Sequence, residues 1–403
     1  MRTIVVPIVK NKTGDLSDKR NYRPISLATV VAKVLDSVLD SELQKHVQIH
    51  AAQFGFVPGL STETAILSLK HTVQYYTDRR TPVYACFLDL SKAFDLVSYD
   101  LLWKKLDKTG VHTQVQRLFQ YWYANQTNNV RWAGSLSDAY RLECGVRQGG
   151  LSSPMLFNLY VNELIVGLSR ERAGCSVDGV YINNISYADD MVLLGPSVGS
   201  IRRLLAICER YAMQHGLKYN CQKSNYLVFR VPGKNICNIP PMKLNGVELK
   251  KVQHFKYLGH YVTEDLEDQM DIERERRALA VRSNMLARRF ARCSSEVKIT
   301  LFKAYCQTFY TSSLWVRYTQ RTLSAFRVQY NNGFRLMLGL PRFCRASAMF
   351  ADARVDGFHA IQRKRTASLL RRLRGSPNII LQTIASHYDA PIIKAFMRLH
   401  VPV

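Results

Sequence analysis

Ile185-Ser-Tyr-Ala-Asp-Asp-Met-Val-Leu-Leu194 is a run of alternating, strand-favouring residues, broken by two adjacent carboxylates and resumed as a second apolar run. The pattern predicts a β-hairpin with Asp189 and Asp190 at its tip. Neighbouring anions repel, so a tip made of them calls for a cation. Acidic residues are common in tight turns for their own hydrogen bonding, and an isolated pair would decide nothing. This pair is not isolated. Upstream, Val83-Tyr-Ala-Cys-Phe-Leu-Asp-Leu90 is another apolar strand that reaches a carboxylate, Asp89, near its end. Three acids at the ends of two buried strands can hold two divalent metals, as phosphoryl transfer to a 3′-hydroxyl requires. The combination points to a polymerase.

At 403 residues the chain can hold two or three domains with ample core. No stretch is long enough to cross a membrane. Ile4-Val-Val-Pro-Ile-Val9 is too short for a signal-peptide core and lacks a cleavage site, so it reads as a strand. The nine cysteines show no paired close spacing. They predict free thiols in a reducing compartment, with neither a zinc site nor a disulfide frame, and so a protein that is not secreted.

Charge is the second large feature. Lys and Arg number 56 against 31 Asp and Glu, a net of +25. Residues 271–403 hold 24 basic and 7 acidic side chains, so one third of the chain carries +17 of that excess. Arg274, Arg276, Arg277, Arg282, Arg288, Arg289 and Arg292 form one cluster; Arg363, Arg365, Arg371, Arg372 and Arg374 form another. A basic face can be merely solubilising, but concentration in one region favours a phosphate-binding surface, because each neutralised phosphate releases counterions.

Leu27, Val30, Val31, Val34, Leu35, Val38, Leu39, Leu43 and Val47 fall at helical spacing and predict an amphipathic helix over 27–47. Further helices are expected over 62–78, 98–108, 112–124 and from Met155 to about Ser169, with Pro154 opening the last. Residues 129–146 alternate weakly and predict a hairpin. After the Asp-Asp hairpin, Ile201–His215 reads as a helix closed by Gly216, and Tyr226–Val231 as a strand stopped by the turn Pro232-Gly-Lys234. Short strands over 242–263 precede basic helices from about 268 onward. The order β–α–β–β–α–β around the acids predicts an α+β fold with an antiparallel sheet backed by helices on one face.

Other segments supply groups suited to a nucleotide. Gly145-Val-Arg-Gln-Gly-Gly150, followed by Ser152-Ser-Pro154, is a glycine-rich turn running into a helix. Its backbone at Gly149 can approach a base or sugar closely, and Gln148 can donate hydrogen bonds. Arg20-Asn-Tyr-Arg23, preceded by Lys10 and Lys12, can cradle a triphosphate or be a solvated basic turn. Phe94, five residues after Asp89, is either core or a ring beneath the sugar that excludes a 2′-hydroxyl. Lys223 is either a surface lysine or the acid that protonates a leaving pyrophosphate.

Taken in order, Asn21–Leu27, Gln53–Gly59, Phe87–Asp95, Gly145–Pro154, Tyr187–Asp190, Asn220–Lys223 and Tyr257–Gly259 resemble the ordered blocks of reverse transcriptases. The wording Arg-Pro-Ile-Ser-Leu and Leu-Ser-Lys-Ala-Phe-Asp is similar to non-LTR (LINE-type), jockey-like retrotransposons; the likeness covers about residues 4–350. The resemblance implies a right-hand polymerase with fingers (1–80, with 111–145 contributing), a palm (81–231), a primer-grip connection (232–265) and a basic helical thumb with C-terminal extension (266–403). It implies RNA-directed DNA synthesis from dNTPs on an RNA template and DNA primer, with two Mg²⁺ ions for which Mn²⁺ can substitute. By matching block, Asp89, Asp189 and Asp190 are the metal-binding acids and Lys223 the candidate general acid. Arg23, Phe94, Gln148 and Gly149 contact the nucleotide, and Tyr257, Leu258 and Gly259 form the primer grip. Arg288, Arg289 and Arg292 are the candidate duplex contacts of the thumb.

The resemblance also implies an intracellular ribonucleoprotein, in nucleus or cytoplasm, that binds no membrane. No segment reads as an endonuclease, a Cys-rich knuckle or a ribonuclease H, so the expectation is a fragment of a longer element. Two rivals stay open: a catalytically inert remnant that still binds nucleic acid, and an intron maturase-type reverse transcriptase.

Overall fold

The computed structural model describes residues 2–231, 233 and 239–398. The chain begins with β1 (Arg2–Val9), β2 (Tyr22–Leu27), α1 (Val30–His46) and α2 (Thr62–Asp78). It continues through β3 (Val83–Asp89), α3 (Tyr99–Asp107), α4 (Thr113–Asn125), β4 (Thr127–Trp132), β5 (Ser135–Leu136) and α5 (Ser153–Arg170). A small hairpin, β6 (Ser176–Val177) with β7 (Val180–Tyr181), leads into β8 (Asn184–Tyr187), β9 (Asp190–Gly195), α6 (Val198–Gln214) and β10 (Asn225–Phe229). Short strands follow: β11 (Lys243–Leu244), β12 (Val247–Glu248), β13 (Lys250–Val252), β14 (His254–Tyr257) and β15 (His260–Thr263). The remainder is helical: α7 (Gln269–Arg289), α8 (Ser295–Cys306), α9 (Gln320–Leu338), α10 (Ala346–Asp352), α11 (Phe358–Arg374), α12 (Ile379–Ser386) and α13 (Pro391–Arg398).

The central sheet runs β13-β10-β3-β9-β8. The three pairings β10–β3, β3–β9 and β9–β8 are antiparallel, as the element order predicts, while β13 adds a parallel edge beside β10. Strand β3 is buried from Val83 to Leu88, so both faces are covered, which is why its sequence is a continuous apolar run. Side-chain caps start the covering helices. Ser61 and Thr64 form a capping box on α2, Ser197 and Ser200 do the same for α6, and Pro154 lies in the first turn of α5.

A second sheet runs β2-β1-β4-β5. Here the expected hairpin over 129–146 is shorter: β4 turns back onto the two residues of β5 and, past them, onto Tyr140 through a single bridge to Asn128, and its other edge lies parallel to β1. The helix expected over 27–47 begins at Val30, because Leu27 belongs to β2 and Thr29 caps the helix by accepting from Ala32 N–H. Its buried face is Ala32, Asp36, Leu39 and Leu43, whereas Val30, Val31, Val34 and Val38 are exposed. The helix carries two apolar stripes, and the polar residue Asp36 lies on the inward one. The strand expected over 226–231 ends at Phe229; Pro232 and Lys234 of the expected turn lie outside the described residues.

The C-terminal third does not form one unit. Ile272, Leu279, Leu286, Phe302, Phe326, Phe334 and their neighbours build a second core that runs to Ile361. Leu369, Leu373, Leu381, Ile384, Ile393 and Phe396 instead join the core of the central sheet. Helix α11 therefore spans both, with Phe358 and Ile361 in one core and Leu369, Leu370 and Leu373 in the other.

Candidate active site

Strands β3 and β9 pair so that Asp89 lies opposite Asp190, and Tyr187 of β8 is the other neighbour of Asp190. The carboxylates thus stand at one end of a sheet whose preceding residues are buried. Asp189 occupies the turn after Ala188, which adopts φ 56°. That turn is buttressed by a segment to which the sequence reading assigned no role. Gln53 Oε1 accepts from Ala188 N–H at 2.9 Å and from Gly55 N–H at 2.9 Å. A Cβ on Gly55 would come within 2.4 Å of the Ala188 nitrogen, so only glycine fits there.

The three acids share one electrostatic environment. Burial pushes the Asp190 carboxyl up to about 6, and repulsion from Asp189 and Asp89 adds to the effect. Asp189 is raised by burial and by Asp89, with Arg23 acting in the opposite direction. Asp89 is raised by burial, against the pull of Lys223 and Lys10. Among the described residues, no group of three or more His, Cys, Asp or Glu side chains stands so placed as to hold a metal ion. The donor set nevertheless fits a hard divalent cation: carboxylate oxygens that raise one another's pKa hold negative charge which a cation would neutralise.

Cationic side chains converge on these acids from separate elements. Arg23 lies on β2 opposite Ile8, and Lys10 follows β1. Lys223 is exposed in the turn before β10, its backbone N–H held by Asn220 Oδ1 at 3.2 Å. The same turn is tied to the acid-bearing strand, because Asn220 N–H donates to the Asp89 carbonyl at 2.8 Å and Asp89 N–H to Ser224 Oγ at 3.1 Å.

Phe94 is half-buried and stacks on Phe157 with ring centroids 4.6 Å apart and planes at 13°. Gln148 is bound through its backbone to β2, where Ser26 N–H donates to its carbonyl at 2.8 Å, and Gly149 adopts φ 116° against the Ser26 carbonyl. Beneath this loop lies a second support absent from the sequence reading. Buried Asp36 accepts from Leu151 N–H at 2.7 Å and from the Ser152 hydroxyl, and lies 3.4 Å from the Arg147 guanidinium. Arg147 in turn lies 4.0 Å over the Trp122 ring. A buried Asp on a helix gives no periodic signal, which is why sequence spacing passes it over.

Tyr257, Leu258 and Gly259 form the turn between β14 and β15, with φ 46° at Leu258 and 82° at Gly259. Tyr257 is buried, and its hydroxyl approaches the Ile185 carbonyl at 3.4 Å, which links the turn to the Asp-Asp hairpin. Tyr310 closes over the turn: its hydroxyl donates to the Leu258 carbonyl at 2.6 Å and lies 3.0 Å from Thr62 Oγ1.

The arginines of α7 divide into two kinds. Arg276 and Arg277 pair with Glu273, Arg274 with Asp271 and Glu275, and Arg282 with Glu275. Arg288, Arg289 and Arg292 are exposed and have no acidic partner among the described residues. The cluster is therefore not a uniform phosphate surface, and its free charge sits at the C-terminal end. In the other cluster, Arg365 and Arg372 are engaged with Glu63 of α2.

The model of the family "Reverse transcriptase (RNA-dependent DNA polymerase)" matches residues 9–262. The chain is 28% identical over 269 residues to a Retrovirus-related Pol polyprotein from type-1 retrotransposable element R2 of Popillia japonica, covering 65% of this chain and 37% of that protein. It is 22% identical over 383 residues to the RNA-directed DNA polymerase from mobile element jockey of Drosophila funebris, covering 91% of this chain and 41% of that protein. The chain thus spans well under half the length of these relatives. Among solved structures, telomerase from Candida albicans in complex with a fragment of telomeric RNA has a loose likeness: 10% identity and a TM-score of 0.46, over 100% of this chain and 65% of that one. The family match encloses all three acids, the Gln148 loop and the Tyr257–Gly259 turn: this chain belongs to the reverse transcriptase (RNA-dependent DNA polymerase) family.

Proposed function

We propose that the chain is the RNA-directed DNA polymerase of a non-LTR retrotransposon and extends a DNA 3′-hydroxyl with dNTPs on an RNA template. The observation that carries this reading is the register that sets Asp89 against Asp190 with Asp189 beside them, under Arg23, Lys10 and Lys223. Asp89, Asp189 and Asp190 would hold two Mg²⁺, or Mn²⁺ in their place. When bound, the ions lower the pKa of the attacking hydroxyl and neutralise charge on the phosphates. The primer 3′-oxygen gives up its proton to water and joins the α-phosphorus as the bond to pyrophosphate breaks, and Lys223 supplies the proton that the leaving group takes. Arg23 holds the phosphates, Phe94 lies under the sugar, and Gln148 with Gly149 contacts the nucleotide against its template base. The Tyr257–Gly259 turn steadies the primer end, and Arg288, Arg289 and Arg292 hold the duplex. In this reading residues 1–80 are fingers, 81–231 palm and 266 onward thumb, and the protein works in the nucleus or cytoplasm as a ribonucleoprotein.

An inert remnant has no need to keep three repelling acids together, so their shared placement favours the enzyme. The test is primer extension on poly(rA)/oligo(dT) with Mg²⁺. The parental protein is expected to extend, and Asp89→Asn to abolish extension while leaving binding of the hybrid nearly intact. Extension by Asp89→Asn at more than about a tenth of the parental rate would reject the two-metal assignment. Parental protein that binds the hybrid without extending it would support the remnant instead.

A further inference from the structure

Among the described residues no cationic side chain pairs with Asp95, yet its carboxylate is engaged. Gln148 Nε2 donates to Asp95 Oδ1 at 3.0 Å. An ionised carboxylate only accepts hydrogen bonds, so this contact decides which end of the amide points where: the nitrogen faces Asp95 and the oxygen faces away. The surrounding backbone makes the contact rigid. Gly145 N–H donates to the Val97 carbonyl at 2.8 Å, Val146 N–H to the Phe94 carbonyl at 2.7 Å, and Ser26 N–H to the Gln148 carbonyl at 2.8 Å. A Cβ on Gly145 would lie 2.9 Å from the Asp95 carbonyl oxygen, so the two segments approach this closely only because residue 145 is glycine. The loop is thereby laced to the turn carrying Phe94 on one side and to the strand carrying Arg23 on the other.

We propose that Asp95 is a positioning residue that fixes the orientation of the Gln148 amide, leaving Oε1 as a set acceptor for a hydrogen-bond donor on the incoming nucleotide. The proposal rests on the reading of this pocket as the nucleotide site. An amide free to rotate offers its acceptor in one orientation and a donor in the other. A clamped amide keeps its oxygen on the side away from Asp95, with one N–H already committed to the carboxylate, and the ordering is done before the nucleotide arrives. The function assigned to Asp95 is acceptance of one hydrogen bond and does not require its charge. That separates it from Asp89, Asp189 and Asp190.

Single-nucleotide extension by Asp95→Ala and Asp95→Asn tests this. Asp95→Ala is expected to raise the KM for dNTP about tenfold with little change in kcat, the size of one lost hydrogen bond. Asp95→Asn keeps an acceptor oxygen and should recover most of the loss. Equal impairment in both variants, or a parental KM in Asp95→Ala, would overturn the proposal. Thermal melting provides an arm independent of activity. Gln148→Glu sets two carboxylates against each other and should lower the melting temperature at pH 7; adding Asp95→Asn should restore it, because the Asn amide can donate to Glu. A double variant melting no higher than Gln148→Glu would show that the clamp is absent even if no primer is extended. Failure of the parental protein to extend any primer would count against the polymerase reading and leave the melting result to judge the clamp.

Discussion

Phe94 shows how much one side chain's meaning depends on what lies behind it. The ring is half-buried and packs face to face on Phe157. Stacking leaves one face of Phe94 in the core and fixes the plane of the ring. If Phe94 is the gate, Phe94→Ala should raise ribonucleotide incorporation relative to deoxynucleotide, and Phe157→Ala should do so more weakly by freeing the ring to tilt. Kinetics with both sugars on one template checks this, and an unchanged ratio in both variants would leave only core packing. The acids were legible in sequence because alternation and burial leave a strong periodic trace, and a carboxylate that ends such a run stands out. Gln53, Asp36 and Arg147 were not legible as supports. Each is a polar residue turned inward by tertiary partners, and spacing alone does not reveal those partners.

At the scale of elements, α7 reads in sequence as one basic helix, but its first three turns are internally neutralised. Glu273 accepts from both Arg276 and Arg277, which hold its carboxyl down to about 2. Those two arginines have already given their charge to a neighbour, whereas Arg288, Arg289 and Arg292 have not. Replacing Arg288, Arg289 and Arg292 with Gln should therefore flatten the dependence of log affinity on log salt by up to about three contacts, at roughly 0.7 to 0.9 each. Replacing Arg276 and Arg277 should leave the slope almost unchanged. Binding of an RNA/DNA hybrid measured over a salt series separates the two ends, and equal slopes for both variants would remove the distinction. The helices themselves were legible to within a turn, because their caps and periodicities are local. The parallel pairing of β4 with β1 was not, since it joins segments more than a hundred residues apart through backbone groups that any sequence carries. The inward face of α1 was not legible for a related reason: two apolar stripes leave the choice to the neighbours, which took the one holding Asp36.

The whole molecule is organised around α2, which both ends of the second core touch. The chain leaves the first core at α7, builds the second, and returns through α11 to α13, where α11 and α12 pack on α2 and α12 on β7 and the buried apolar residues rejoin the first core. Apolar periodicity says that a helix is covered but not by which partner, so the sequence does not tell which of the helices in the range given to thumb and C-terminal extension return to the first core. Where the chain departs, Lys70 of α2 donates to Asp268 at 2.6 Å and to the Leu314 carbonyl at 2.8 Å, and Asp268 also accepts from Val316 and Arg317 N–H. Beside it Asp271 gathers His260 of the β14–β15 hairpin, the Trp315 indole N–H and the Thr311 hydroxyl. Burial alone would raise the Asp271 carboxyl, but His260 and Arg274 hold it well below the usual carboxylate range. The hub joins the Tyr257–Gly259 turn, the proposed thumb and the central core in one buried polar network. Removing one charge of a buried pair leaves the other unpaired at a cost of about 3–5 kcal/mol, whereas removing both costs far less. Lys70→Met should therefore destabilise the protein by about that amount in urea titrations and shorten the DNA made per binding event, since the thumb loses its tether. Lys70→Met with Asp268→Asn drops both charges but keeps the acceptor oxygen for the Val316 and Arg317 N–H groups, and should recover most of the stability and product length. A double variant as weak as the single one would mean that the loss does not come from a stranded Asp268 charge, and a single variant as stable as the parent would mean that apolar contacts alone hold the second core.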